Sequence, residues 1–112
     1  MTRFLVTGAS GLLGLNLCTQ ISSKSEVFGI VNQVSLINTP FPVIQQNLSD
    51  LKEISLLIDS IKPDTIIHCA AMANIDQCES QPDLAYRINA ELPGEIARLS
   101  QKLGIKLVHI ST

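Results

Sequence analysis

Eight residues decide the fold of this chain: Thr7-Gly8-Ala9-Ser10-Gly11-Leu12-Leu13-Gly14. The apolar run Thr2 to Val6 before them predicts a buried strand, and apolar residues recur at helical spacing from Gly11 to Ser22. Gly8 suits a tight turn, Gly11 lets a pyrophosphate approach the backbone, and Gly14 lets the helix pack closely on the strand. Because free N–H groups at a helix N-terminus favour anions, this spacing indicates a dinucleotide-binding turn. A glycine turn without a ligand is the alternative.

Strand-like and helix-like stretches alternate along the rest of the chain. The later strands are predicted over Glu26–Val31, Val43–Gln45, Thr65–Ala70 and Lys106–Ile110. A second helix follows Asp50 and ends before Pro63, and a third runs from Asp83 to Gly104. The apolar stripe of the third helix consists of Leu84, Ile88, Leu92, Ile96, Leu99 and Leu103. The alternation predicts an α/β protein with a Rossmann-type, doubly wound parallel sheet in strand order 3-2-1-4-5. A flavodoxin-like sheet fits the alternation alone equally well.

Composition limits the classes of function. The 112 residues have a formal net charge of −2, with 16% charged residues, and they leave room for one domain. The chain has no stripe of basic residues, so nothing in it indicates nucleic-acid binding. It also has no apolar stretch as long as a membrane span, and we expect a cytoplasmic protein. The three cysteines lack metal-ligand or redox spacing and are interpreted as buried or incidental thiols. His68 and His109 are expected to be buried in strands, without a metal.

Several motifs point to one family. The spacing Thr-Gly-x-x-Gly-x-x-Gly resembles the cofactor turn of the extended short-chain dehydrogenase/reductase superfamily. Asn47-Leu48-Ser49-Asp50 is similar to its Asp-Leu-Thr-Asp segment at the adenine, and His68-Cys69-Ala70-Ala71 to the segment beside the nicotinamide ribose. Arg87-Ile88-Asn89-Ala90 resembles the helix-four segment near the site. Residues 107–112 and 75–82 resemble stretches of dTDP-4-dehydrorhamnose reductases, and residues 75–82 favour that branch over the sugar epimerases, with helix capping by Asp76 and Glu79 as the alternative.

The resemblance implies a set of site residues. Those expected to bind the cofactor, NADP or NAD, are Gly8, Ser10, Gly11, Leu12, Leu13, Gly14, Asn32, Asn47, Leu48, Ala70, Ala71, Met72 and Asn89. Thr112 aligns with the catalytic Ser/Thr of the superfamily. Asn32 stands where strand two usually ends in an acidic residue, so the choice between NAD and NADP stays open.

The catalytic pair of the superfamily is not found in this chain. The pattern Tyr-x-x-x-Lys is missing, because the only tyrosine, Tyr86, is followed four residues later by Ala90. Tyr86 is interpreted as a partly buried helix residue. We therefore expect residues 1–112 to be an incomplete N-terminal dinucleotide-binding domain, truncated after strand five and inactive alone, without the substrate-binding C-terminal part. The apolar edge formed by Leu107, Val108 and Ile110 should then be uncovered.

Three functions remain open for the parent protein. The resemblance implies a reductase of dTDP-rhamnose biosynthesis that reduces a 4-keto nucleotide sugar by hydride transfer. An epimerase or dehydratase of nucleotide sugars is a second interpretation, and a non-catalytic NADP-binding regulatory subunit similar to the methionine adenosyltransferase beta subunit is a third. The expected partner is the nucleotide-sugar substrate, with a homodimer left open.

Pro93 interrupts the long helix. Proline has no N–H, so the carbonyl of Asn89 loses its helical donor. The sequence predicts either a kinked helix with water on Asn89, or an Asn89 that orients a water near the nicotinamide.

Overall fold

The architecture is an alternation of parallel strands and helices. The computed structural model describes residues 2–32, 35–71 and 75–110. The strands are β1 (Arg3–Thr7), β2 (Glu26–Val31), β3 (Val43–Gln45), β4 (Thr65–His68) and β5 (Lys106–His109). The helices are α1 (Leu12–Ser22), α2 (Leu51–Ile61), α3 (Ile75–Ser80), α4 (Pro82–Tyr86) and α5 (Leu92–Leu103), with a π-helical segment, Arg87–Glu91, between the last two.

The sheet has the predicted topology. All its strands are parallel, and their order is β3-β2-β1-β4-β5. The chain therefore builds one side of the sheet outward from β1 and then crosses to β4 for the other side. The point between β1 and β4, where the direction reverses, is where doubly wound sheets bind ligands at the carboxyl ends of their strands. The prediction of a Rossmann-type sheet with this strand order is confirmed.

Helices cover both faces of the sheet. On one face, Leu5, Ile30 and Ile66 pack in a cluster with α2 and α5, whose buried contributions include Ile54, Ile58, Leu92 and Ile96. On the other face, Val6, Val27, Val31 and Ile67 pack with Cys18 of α1 and with Phe41. Two separate apolar layers explain why the strands read as nearly continuous apolar runs, since each strand is covered on both sides.

The third predicted helix is broken, which corrects the sequence interpretation. Three helical pieces, α4, the π-helical segment and α5, replace a single α-helix from Asp83 to Gly104. The apolar stripe explains the break, because Leu84, Ile88, Leu92 and Ile96 are each four residues apart. In an α-helix of 3.6 residues per turn, such a stripe drifts by about 40° at every step. The wider π turn counteracts that drift and keeps the stripe on one side.

The π-helical segment also changes the interpretation of Pro93. Within the segment the N–H of Leu92 donates to the carbonyl oxygen of Arg87, five residues earlier. Pro93 then occupies the first turn of α5, where a missing N–H is tolerated. Asn89 has its own interaction in the structure. The prediction that Pro93 interrupts a single α-helix is therefore wrong. The chain instead forms a π turn, and α5 begins after it.

Smaller corrections concern element bounds and exposure. β1 runs one residue later than predicted, β4 ends at His68 instead of Ala70, and β5 ends at His109 instead of Ile110. Leu12 and Leu13 are exposed, although the helical spacing places them on the apolar face of α1. Tyr86 is 63% exposed instead of partly buried, and His109 is exposed instead of buried. These residues flank the carboxyl edge of the sheet or lie on its outermost strand.

The outer strand β5 has few neighbours. It pairs with β4 on one side, and none of the described residues pairs with its other side. Leu107 is half-buried, whereas Val108 is 38% exposed and Ile110 is exposed as well. The apolar edge is thus uncovered within the part of the chain that the structure describes.

Candidate functional site

The glycine turn connects β1 to α1 at the carboxyl edge of the sheet. Gly8 has a φ of +68°, a conformation that L-residues with a side chain rarely adopt, and a Cβ there would lie 2.8 Å from the backbone nitrogen of Ala70. A Cβ at Gly14 would overlap the carbonyl oxygen of Gly8. The turn closes with a 3.0 Å hydrogen bond from the Gly11 N–H to the Gly8 carbonyl. Two of the three glycines are therefore required by the packing of the turn itself.

Gly11 is the N-cap of α1 and offers no side chain to cap it. The first N–H groups of an α-helix have no carbonyl partner within the helix, and the positive end of the helix dipole lies among them. Ser10 precedes the cap and is half-buried. This helix start can bind an anion through backbone N–H groups.

A cleft of about 870 Å³ lies over the glycine turn, within the range of small-molecule and cofactor pockets. It is lined by segments from the carboxyl ends of four of the five strands: Gly8, Ser10 and Gly11 after β1, Asn32 after β2, Gln45, Gln46, Asn47, Leu48 and Ser49 at and after β3, and Cys69, Ala70 and Ala71 after β4. Gln77, Gln81, Leu84 and Ile88 from the helical region close the other side. The cleft therefore crosses the point between β1 and β4 where the strand order reverses.

The lining of the cleft is polar and uncharged. Six of the described lining residues are amides and two are serines, while none is Asp, Glu, Lys or Arg. Recognition of a charged ligand must therefore use backbone N–H groups and the dipole of α1, with the amides supplying hydrogen bonds. Among the described lining residues, Cys69 is the one with a titratable side chain. Burial raises the pKa of its thiol, so the thiol stays protonated at neutral pH.

Thr7 joins the glycine turn to the loop after β4. Its hydroxyl oxygen accepts hydrogen bonds from the backbone N–H groups of Cys69, at 3.0 Å, and Ala70, at 3.1 Å. The same oxygen lies 2.7 Å from Nδ1 of His68. Thr7 is 2% exposed and His68 is 1% exposed. This buried group fixes one wall of the cleft against β1.

His68 is held in its neutral form. Burial, and to a smaller extent the neighbouring His109, lowers the pKa of His68 to about 4. The two imidazole rings lie 5.5 Å apart between centroids and are tilted by 49°. At neutral pH the ring of His68 therefore carries a single proton, and its hydrogen bonds determine which nitrogen holds that proton.

Asn47 and Asp50 organise the loop after β3. The side-chain oxygen of Asn47 accepts from the backbone N–H of Ser49 at 3.0 Å and from its hydroxyl at 2.7 Å. Asp50 caps α2 by accepting from the backbone N–H groups of Lys52 and Glu53, both at 3.2 Å. Asn47 thus shapes the loop with its side-chain oxygen.

Most residues predicted to bind a cofactor meet in this cleft. The structure brings together Gly8, Ser10, Gly11, Asn32, Asn47, Leu48, Ala70 and Ala71. Leu12, Leu13, Gly14 and Asn89 are not among the lining residues, and the side chain of Leu12 is 85% exposed. Met72 and the predicted catalytic residue Thr112 lie outside the described residues.

The sequence prediction missed half of the lining. The additional residues are Gln45, Gln46, Ser49, Cys69, Gln77, Gln81, Leu84 and Ile88. Gln45 and Gln46 had an available signal, since they end a parallel strand at the edge where ligands bind. Gln77 and Gln81 had none, because their approach to the cleft depends on where α3 and α4 lie against the sheet.

Neither a metal site nor a membrane helix is found in the described part of the chain. No group of three or more His, Cys, Asp or Glu side chains could hold an ion among residues 2–32, 35–71 and 75–110. None of the helices described is long and apolar enough to span a bilayer.

Comparisons with known proteins agree with this geometry. The family described as RmlD substrate binding domain matches residues 2–112. The spore coat polysaccharide biosynthesis protein SpsK of Bacillus subtilis is 34% identical over 100% of the chain and 36% of its own length. The beta subunit of methionine adenosyltransferase 2 from Xenopus laevis is 35% identical over 98% of the chain and 32% of its own length. The chain therefore spans about a third of the length of the curated relatives it matches.

Solved structures show the same fold. A hypothetical dTDP-4-dehydrorhamnose reductase from Sulfolobus tokodaii superposes with a TM-score of 0.88 at 35% identity, covering 98% of this chain and 39% of that one. The dTDP-4-dehydrorhamnose reductase of Bacillus anthracis, solved in complex with NADP, has a TM-score of 0.78 at 30% identity and covers 99% of this chain and 36% of that one. The resemblance noted in the sequence is confirmed, and the chain belongs to the RmlD substrate binding domain family, among the extended short-chain dehydrogenases/reductases that resemble dTDP-4-dehydrorhamnose reductase.

Proposed function

We propose that this chain is the dinucleotide-binding part of an NAD(P)-dependent reductase that reduces a 4-keto nucleotide sugar. The observation that supports it most is the cleft that crosses the strand-order reversal, with the glycine turn and the start of α1 on its floor. A Cβ at Gly8 or Gly14 would fill this turn. The family relationship and the NADP bound to the Bacillus anthracis relative favour a nicotinamide dinucleotide as the ligand.

In this proposal each segment binds one part of the dinucleotide. The backbone N–H groups at the start of α1 bind the pyrophosphate, and Asn32, at the end of β2, hydrogen-bonds the adenine ribose. Asn47 and Leu48 contact the adenine, and Ala70 and Ala71 contact the nicotinamide ribose. When bound, the cofactor supplies the hydride. Thr112 is proposed as the catalytic Ser/Thr. The Tyr-x-x-x-Lys pair and the sugar pocket would be supplied by other parts of the parent protein.

Calorimetric titration with NADH and NADPH tests this proposal. We expect saturable binding of at least one dinucleotide, and a loss of at least tenfold in affinity for Gly8→Ala, because a side chain there strains the turn and meets the backbone of Ala70. Gly94→Ala is the matched control, since a Cβ at Gly94 has open space around it. Absence of heat at millimolar concentrations of both cofactors would contradict the proposal.

A second candidate is a non-catalytic NADP-binding regulatory subunit. The 35% identity to the beta subunit of methionine adenosyltransferase 2 favours it. The two candidates share the cleft and differ in turnover. Oxidation of NADPH by the intact protein in the presence of a 4-keto-6-deoxy nucleotide sugar would support the reductase, whereas tight dinucleotide binding without oxidation would support the regulatory subunit. Inversion of a sugar centre without net oxidation would support an epimerase.

A further inference from the structure

The Thr7 hydroxyl uses all of its hydrogen-bonding capacity. A hydroxyl has one O–H donor and two acceptor lone pairs. The N–H groups of Cys69 and Ala70 occupy the two lone pairs, at 3.0 and 3.1 Å. The remaining neighbour is Nδ1 of His68, 2.7 Å away. The O–H of Thr7 therefore has to donate to Nδ1, since the oxygen has no lone pair left with which to accept from it.

This arrangement determines the tautomer of His68. Nδ1 must be without a proton in order to accept, so the single proton of the neutral ring is on Nε2. Within the described residues, Nε2 is buried and has no hydrogen-bond partner. Burying an unpaired N–H is unfavourable. The hydrogen bond between Nδ1 and Thr7 therefore holds the ring in place and offsets the free energy cost of burying the Nε2–H group.

The two amides that Thr7 binds belong to the wall of the cleft. Cys69 and Ala70 both line it, and the nitrogen of Ala70 is the atom closest to the position that a Cβ of Gly8 would take. The direction of the Thr7 lone pairs therefore sets how closely the loop after β4 approaches the glycine turn. A hydroxyl without a fixed acceptor for its proton would be free to rotate about its C–O bond.

We propose that His68 is a positioning residue for the dinucleotide site. Its unprotonated Nδ1 takes the Thr7 proton and so directs both lone pairs of Thr7 at the loop amides. His68 acts through Thr7 and does not line the cleft itself. The expected effect on ligand affinity rests on the proposed function, whereas the tautomer and the state of the loop amides do not depend on it.

The first test measures the ligand-free protein. Nitrogen-15 NMR of the histidine rings at pH 7 should give His68 a shift typical of an unprotonated Nδ1 and of a protonated Nε2. Amide hydrogen exchange should then be at least tenfold faster at Cys69 and Ala70 in His68→Leu than in the wild type. His68→Asn should stay within threefold of the wild type, because its side-chain oxygen replaces Nδ1 as acceptor. The amide of Ile30 in β2 is the internal control.

The second test measures dinucleotide affinity in the same variants. We expect a weakening of at least tenfold for His68→Leu and for Thr7→Val, with His68→Asn and Thr7→Ser close to the wild type. A protonated Nδ1 in the wild type would overturn the proposal, and so would a folded His68→Leu variant with unchanged exchange at the loop amides. If no dinucleotide binds even the wild type, the proposed function fails, and the tautomer and exchange results still decide the role of His68. The tautomer measurement needs no variant, so it decides even if His68→Leu does not fold.

Discussion

The neighbouring strands β4 and β5 have similar sequences and very different surroundings. β4 reads Thr-Ile-Ile-His and β5 reads Lys-Leu-Val-His, paired residue by residue from Thr65↔Lys106 to His68↔His109. Three residues of β4 are buried, whereas β5 has no buried residue. An apolar pattern therefore predicts that a segment is a strand, but its position in the sheet decides what its side chains do. The two histidines illustrate this, since the buried one is fixed by Thr7 and the outer one is exposed.

The largest expected effect comes from one register row of the sheet, in which Leu5, Ile66 and Leu107 are neighbours on β1, β4 and β5. Leu5→Ala should lower the free energy of unfolding by about 4 kcal/mol, because it leaves a cavity in a fully buried layer. Leu107→Ala, the same change at the edge, should cost about 1 kcal/mol. Urea denaturation measures both. Equal losses would show that β5 is as well packed as the centre.

The next effect is the pH dependence that His68 produces. Its pKa is about 4 in the folded chain, whereas the ordinary pKa of an exposed histidine, as in the unfolded chain, is 6.5. The unfolded chain thus binds more protons between these values, so stability is complete above about pH 6.5 and falls by about 3 kcal/mol as the pH drops to 4. Denaturation of the wild type and of His68→Asn at a series of pH values isolates this contribution. Parallel pH profiles for the two proteins would contradict it.

A substitution in the glycine turn should cause a smaller loss of stability. Gly14→Ala should destabilise the protein by about 2 kcal/mol, because the new methyl group must displace the backbone of Gly8. On the open surface of α5, Gly94→Ala should be neutral or stabilising, since alanine favours a helix. Thermal unfolding distinguishes the two variants. A tolerated Gly14→Ala would mean that the turn is less tightly packed than β1 and β4.

The smallest effect concerns His109 itself. His109→Gln should leave the stability at pH 7 within about 0.5 kcal/mol, as expected for an exposed side chain. It should also raise the pKa of His68 slightly, because His109 is the lesser of the two causes that lower it. NMR titration of the His68 ring measures that change. A return of the pKa to 6.5 would show that His109, and not burial, controls His68.

Local patterns were sufficient to predict much of the fold. The bounds of β2 and β3 follow from apolar runs between polar loops, and α2 follows from the cap at Asp50 and a regular apolar stripe. The π-helical segment was missed because its signal, an apolar stripe with a period of four, is close to that of an α-helix. Tyr86 was misjudged although a signal was present, since it lies about 200° around the helix from Leu84 and therefore opposite the apolar stripe.

Part of the candidate site could be predicted, namely the residues that a known motif spacing places at the carboxyl edge of the sheet. Gly8, Gly11 and Asn32 followed from the spacing of a dinucleotide turn, and they do line the cleft. Gln81 and the contact between Thr7 and His68 depend on how distant segments meet, because 61 residues separate Thr7 from its histidine partner. No local pattern encodes such a contact.

The π turn also determines how the chain would respond to a change in the number of residues between Leu84 and Ile96. Each residue of an α-helix rotates the following side chains by about 100°. Removing one residue from Arg87–Glu91 would shift the following side chains by one such step, and relaxing the π turn to an α turn would rotate them back by nearly as much, so Leu92 and Ile96 would keep facing the apolar layer that they fill. A single deletion within Arg87–Glu91 should therefore be tolerated better than a deletion within α5, where no wider turn is present to relax and the residues that follow would turn away from that layer.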